Sequence, residues 1–194
     1  MRRLWLCVPM ISLMLLPGCS AGGGVSKAEQ QALLIRSEYL EHPAYSSAVR
    51  VISDYGQRVY EYEMTVTGDG DETTLVLTEP DEVAGMTAHL SGSASQLEFE
   101  DLVLETGPLD AEGLSPASAV PAMVSAVREG YISTCSFTED GRLRVDCCDP
   151  EQKPDRGTAV SLWFANDTHA LTSGEILVDG SRVITCEFSN FTMG

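Results

Sequence analysis

The chain has 194 residues, 29 of them Asp or Glu against 12 Lys or Arg, giving a formal net charge of −17 at pH 7. That balance argues against nucleic acid as a partner, because binding phosphates takes clustered Lys and Arg, and it offers no polybasic patch to anionic lipid headgroups. The length suits one domain with a sizeable core.

Arg2 and Arg3 precede an apolar run from Leu4 to Leu16, the charged and hydrophobic regions of an export signal. The run is interrupted by Pro9 and is shorter than the roughly 20 apolar residues of a permanent membrane helix. It closes on Leu16-Pro17-Gly18-Cys19, which resembles the lipobox of bacterial lipoproteins, with Pro17 where Ala or Ser is commoner. The resemblance implies cleavage after Gly18 and lipidation of Cys19 by diacylglycerol and palmitate-type chains. Residues 1–18 then form a lipoprotein signal peptide, 19–26 a small, glycine-rich tether, and 27–194 a single domain. Ten Lys and Arg against 29 acidic residues remain beyond the leader, a net −19. Anchoring therefore falls to the acyl chains on Cys19, of which about two suffice, at the outer face of the cytoplasmic membrane.

From Lys27, "KAEQQALLIRSEYLE" predicts an amphipathic helix ending before His42-Pro43, with Ala28, Leu33, Leu34 and Leu40 as its apolar face. From Ser46 the period becomes alternating. "AVRVISDYGQRVYEYEMTVTG" predicts a hairpin turning at Asp54-Tyr55-Gly56, and "GDGDE" (Gly68 to Glu72) marks a turn before the strand "TTLVLTEP". "GMTAHLSGSASQLEFEDLVLETG" supplies two or three short strands. With no helix between them these strands form an antiparallel sheet rather than a βαβ array. "LSPASAVPAMVSAVREGY" predicts a second helix capped by Ser115, with Pro116 at its first position and a kink or restart at Pro121. "YISTCSFTEDGRLRVDCC" predicts a hairpin at Asp140-Gly141, and three further strands close the chain, with a second hairpin turn at Asp179-Gly180.

Beyond Cys7 and Cys19, four cysteines remain. The hairpin brings Cys135 near Cys147 or Cys148, leaving the other for Cys186. With no CxxC pair and no histidine near them in sequence, disulfides or buried thiols are favoured over zinc.

This order of lipobox, helix, antiparallel strands, "SP" helix and closing strands "LWFANDTHALTSGEILVDGSRVITCEFSNF" resembles the LolA-like superfamily of lipoprotein carriers and bacterial surface lipoproteins. The resemblance implies an α+β fold: a curved antiparallel sheet, a half-open barrel, with helices on its concave face. It implies no catalytic residues and no cofactor, and an apolar space that holds acyl chains or docks an envelope protein. Val120, Met123, Val124 and Val127 of the second helix, facing Val76, Leu97, Phe99, Leu162 and Phe164, would line that space. Apolar stripes at helical spacing usually make an ordinary closed core instead.

No Gly-x-Ser-x-Gly elbow is present, and the histidines His42, His89 and His169 stand apart from any evident nucleophile. "GDGDE" lacks the span of a calcium loop. The expected function is that of a non-enzymatic binding lipoprotein; the alternative is a surface-anchored hydrolase with a carboxylate site not evident from the sequence.

Overall fold

The computed structural model describes residues 25–92, 94–108, 110–153 and 156–194. The signal peptide, Cys19 and most of the tether lie outside the described residues. Helix α1 (Lys27–Glu41) starts at a capping box. Ser26 Oγ accepts from Glu29 N at 3.1 Å, and Glu29 Oε2 accepts from Ser26 N at 3.3 Å. Six strands follow: β1 (Tyr45–Asp54), β2 (Val59–Asp69), β3 (Glu72–Glu79), β4 (Thr87–Leu90), β5 (Ser95–Phe99) and β6 (Leu102–Glu105). Helix α2 (Pro116–Glu129) leads to β7 (Ile132–Phe137), β8 (Leu143–Cys148), β9 (Thr158–Phe164), β10 (Leu171–Val178) and β11 (Ser181–Met193).

These strands make one antiparallel sheet in the order β6-β5-β4-β3-β2-β1-β11-β10-β9-β8-β7. Each half is a meander that a local turn can form, and the long β1–β11 ladder joins the two halves. Asp179 and Gly180 both take positive φ, 48° and 76°, the signature of the type I′ turn expected there. Five pairings contain register shifts. Such bulges bend strands and deepen twist, so the sheet curves while its edges, β6 and β7, stay unpaired with each other.

Both helices cover one face. Helix α2 packs on β1, β9 and β11, and α1 on α2, β7 and β8. Helix α1 corrects one expectation: Ala28, Ala32, Ile35 and Tyr39 are buried, whereas Leu33, Leu34 and Leu40 are about half exposed. The chosen stripe carries Tyr39, whose hydroxyl accepts from Leu171 N at 3.0 Å and donates to His169 O at 3.3 Å. Its ring meets Phe164 edge-on at 5.9 Å and stacks on Phe191 at 5.8 Å. No leucine offers that combination. At Pro121 the helix does not restart: α2 runs through it as a single element, forgoing the bond a residue there would donate to Ala117.

Two arginines fasten the helices. Arg36 donates from Nε to Val127 O (2.8 Å) and from Nη2 to Gly130 O (2.5 Å), satisfying carbonyls at the end of α2. Arg128 reaches Tyr39 O, Gly70 O and Pro43 O at 3.0, 3.1 and 2.7 Å, tying α2 to α1, the α1–β1 connection and the β2–β3 turn.

Candidate functional site

The space between helices and sheet is the first candidate. Val120, Met123, Val124 and Val127 are buried, as are Leu162 and Phe164 on β9. The register Val66–Leu75–Ala88–Leu97–Leu104 across β2 to β6 puts Leu97 on this same face, since residues directly opposite share a side. Phe99, two residues on, shares it too but lies half-buried outside the main core. Val76 does not belong: the β3 residue facing the helices is the fully buried Leu75, and Val76 points to the other side. "LVL" is apolar at both parities, and pairing with Met64 and Val66 decides between them.

The interior is filled at its centre. A Cβ built on Gly174 of β10 would overlap Met123 Sδ and stand 3.0 Å from Met123 Cε and 3.4 Å from Leu162 Cδ2. Met123 itself is fully buried. Open depressions flank it: one of about 400 Å³ between β3, β4 and the start of β5 has Thr73, His89, Ser95 and Glu105 on its wall, and one of about 240 Å³ lies between α2 and the sheet, bounded by Pro121, Ala122 and Ser125 on one side and Thr73, Leu90 and Ser95 on the other.

All four described cysteines are free thiols. Cys135 pairs in register with Val145, one step diagonal from Cys147. Cys186 lies on β11, three strands from β8, or about 14 Å at the usual strand spacing. A disulfide spans less than about 7 Å between Cα atoms. The expected bond from Cys147 or Cys148 to Cys186 is therefore incompatible with the sheet order. Burial pushes the Cys147 thiol up to about 11 and the Cys186 thiol further, so both stay protonated and inert near neutrality.

Two polar clusters, around His169 and around Asp110, hold titratable side chains in fixed hydrogen bonds. His169, in the β9–β10 turn, has Nδ1 2.7 Å from Glu38 Oε2 and Nε2 3.0 Å from Gln31 Nε2. With both ring nitrogens engaged, the imidazole latches α1 to the turn and has none left to activate a nucleophile. Burial raises the Asp110 carboxyl, but bonds from Ser118 Oγ and Leu114 N, each 2.7 Å, outweigh it and hold the group below the usual range. That is opposite to the raised carboxyl of a general acid. No group of three or more His, Cys, Asp or Glu side chains suited to a metal occurs among the described residues.

A second surface was not read from the sequence. Strand β6 forms one edge of the sheet, and Leu102, Val103 and Leu104 are 75%, 59% and 60% exposed. The segment containing β2 to β6 also has an unusual charge. Residues 59–127 include 14 Asp and Glu and no Lys or Arg. A scan for charge runs would have found that asymmetry; identifying β6 as the edge needed the sheet order.

The sequence matches no protein-family model and no curated protein. Solved structures do resemble the fold. An uncharacterized conserved protein from Thermus thermophilus aligns at TM-score 0.50 and 8% identity, covering 85% of this chain and 86% of that one. A DUF1329 family protein from Desulfovibrio piger aligns at TM-score 0.50 and 9% identity, covering 84% and 92%. A LolA superfamily protein from Nitrosomonas europaea gives TM-score 0.43 and 11% identity over 84% and 93%. Among the described residues the chain has an open, curved antiparallel sheet of eleven strands with two helices on one face, and this fold is shared with the Thermus and Desulfovibrio structures.

Proposed function

We propose that the protein is an extracytoplasmic lipoprotein, made of a leader (1–18), a lipidated tether (19–26) and one domain (27–194). In this reading acyl chains on Cys19 hold it at the outer face of the cytoplasmic membrane, and it acts by binding rather than by catalysis. Helix α1 begins directly after the tether, whose seven steps from Cys19 to Ser26 reach at most about 25 Å, so the domain works close to the membrane. Of the two ligand classes expected, an acyl chain or an envelope protein, the packing favours the protein. The observation that carries this choice is Met123 against Gly174 at the centre of the helix–sheet interior, where an enclosed acyl chain would need room.

Two measurements test the reading. In the producing cell, Cys19→Ala abolishes acylation and leaves the leader uncleaved; a variant processed and lipidated like the parent refutes the anchor. Native mass spectrometry of the chain from Cys19, expressed without its leader, gives the bare polypeptide mass. A co-purifying lipid would overturn the choice of a protein ligand.

A further inference from the structure

We propose that β6 is a docking edge for an extended, cationic segment of a partner protein, which adds to the sheet as a twelfth strand. The inference rests on the binding role proposed above and names the chemistry of the partner.

The backbone supplies the first part. Thr106 N donates to Ser95 O at 2.8 Å, so Thr106, and with it Leu104 and Leu102, turn their amides and carbonyls toward β5. In a strand these directions alternate. Val103 and Glu105 therefore point their N–H and C=O groups outward, where an added strand bonds. The side chains supply the second part. Leu102 and Leu104 lie on the helix side beside Phe99 and Leu97, their register partners, whereas Val103 and Glu105 lie on the other face beside Glu98 and Gln96. A guest strand thus meets apolar side chains on one face and carboxylates on the other, which suits alternating apolar and basic residues.

Charge then chooses among occupants. Glu98, Glu100, Asp101 and Glu105 surround the edge, within a segment that has no Lys or Arg from residue 59 to 127. A second copy of this chain would bring an equally anionic edge against the first, and anionic headgroups or fatty-acid carboxylates meet the same repulsion. A cationic strand is attracted by it.

The probe is an acetylated, amidated peptide of alternating Lys and Val, titrated into the ¹⁵N-labelled chain from Cys19, with the alternating Glu and Val peptide as its control. The cationic peptide is expected to shift amide signals of residues 97–105, more weakly as salt rises, while the acidic peptide shifts none. Val103→Pro removes an outward donor without touching the β5–β6 ladder, and should weaken binding about tenfold with the melting temperature maintained. Glu98→Gln combined with Glu105→Gln should weaken it and flatten the salt dependence without altering the backbone. Equal binding of both peptides, shifts confined elsewhere, no binding of the cationic peptide, or full affinity in both variants would overturn the assignment. Acylation of Cys19 and the native mass are read separately, so failure at the edge leaves the anchored, binding role standing, and failure there leaves the edge result intact.

Discussion

Gly174→Ala asks whether the helix–sheet interior is closed. Gly174 lies outside the left-handed region, and a new Cβ there would overlap Met123 Sδ and sit 3.4 Å from Leu162 Cδ2. The backbone accepts alanine, which by itself stabilises by about 0.4–1 kcal/mol through the unfolded chain. Overpacking a filled core costs about 1–3 kcal/mol. The sulfur belongs to a flexible side chain, so the sign depends on whether Met123 has somewhere to go. In a closed interior it has not, and the net loss should be about 1–2 kcal/mol, with a melting temperature lower by about 2–8 °C for a domain of this size. Met123→Ala should cost about 2–5 kcal/mol by opening a cavity. The double variant should lose less than the sum, because each change relieves the other. Urea denaturation of the four proteins reads this cycle. A Gly174→Ala protein as stable as the parent would mean that the thioether swings into unfilled space, and the case for a closed interior would fall.

Arg128→Ala removes donors from Tyr39, Pro43 and Gly70 carbonyls, and should lower unfolding stability by about 1–3 kcal/mol, with Lys restoring only part because it lacks the planar fork. At pH 8, a maleimide should label half-exposed Cys135 in the folded chain but spare Cys147 and Cys186, and label all of them after denaturation; protection of Cys135 or rapid labelling of Cys186 would refute the burial. The buried thiols also set an alkaline limit. Their folded values are raised, so the stability linked to keeping them neutral is complete below the ordinary value of 9.0 and declines as pH rises toward about 11, where Cys147 ionises. Urea midpoints measured from pH 8 to 11 should fall, and Cys147→Ala should flatten the slope.

Local chemistry made much of the fold legible. Ser115 with Pro116 and Asp179-Gly180 each decide a helix start or a hairpin within a few residues, and the structure has both. Choice of face was harder wherever both faces were apolar. On β3 the pairing partners on β2 select Leu75 over Val76, and on α1 the hydrogen bonds of Tyr39 to a turn 130 residues away outweigh three leucines. Connectivity was harder still. Cys147 and Cys186 look bridgeable until β9 and β10 are seen between their strands. The exposed edge has the same origin: nothing in "LVLE" says that no strand follows on its far side.

An apolar edge this exposed invites self-pairing, and the charges around it supply the restraint. Arg36, Arg128, Arg142 and Arg144 are bonded to the α2 carbonyls, to neighbouring loops and to β8 and β10 side chains, all away from the β6 edge. No Lys or Arg lies within residues 59–127 to offset its carboxylates. Flanking charges of one sign are a recognised defence against edge-to-edge association, and they act through a field that salt can remove. The Debye length falls from about 10 Å at 0.1 M to about 3 Å at 1 M. The chain should therefore sediment as a monomer in 0.1 M NaCl and self-associate reversibly in 1 M NaCl. Glu98→Gln with Glu105→Gln should shift that onset to lower salt, whereas Val103→Pro should abolish it. If the parent and the charge-neutral variant both stay monomeric at high salt, the carboxylates are not restraining β6, and the edge is inert by its shortness alone.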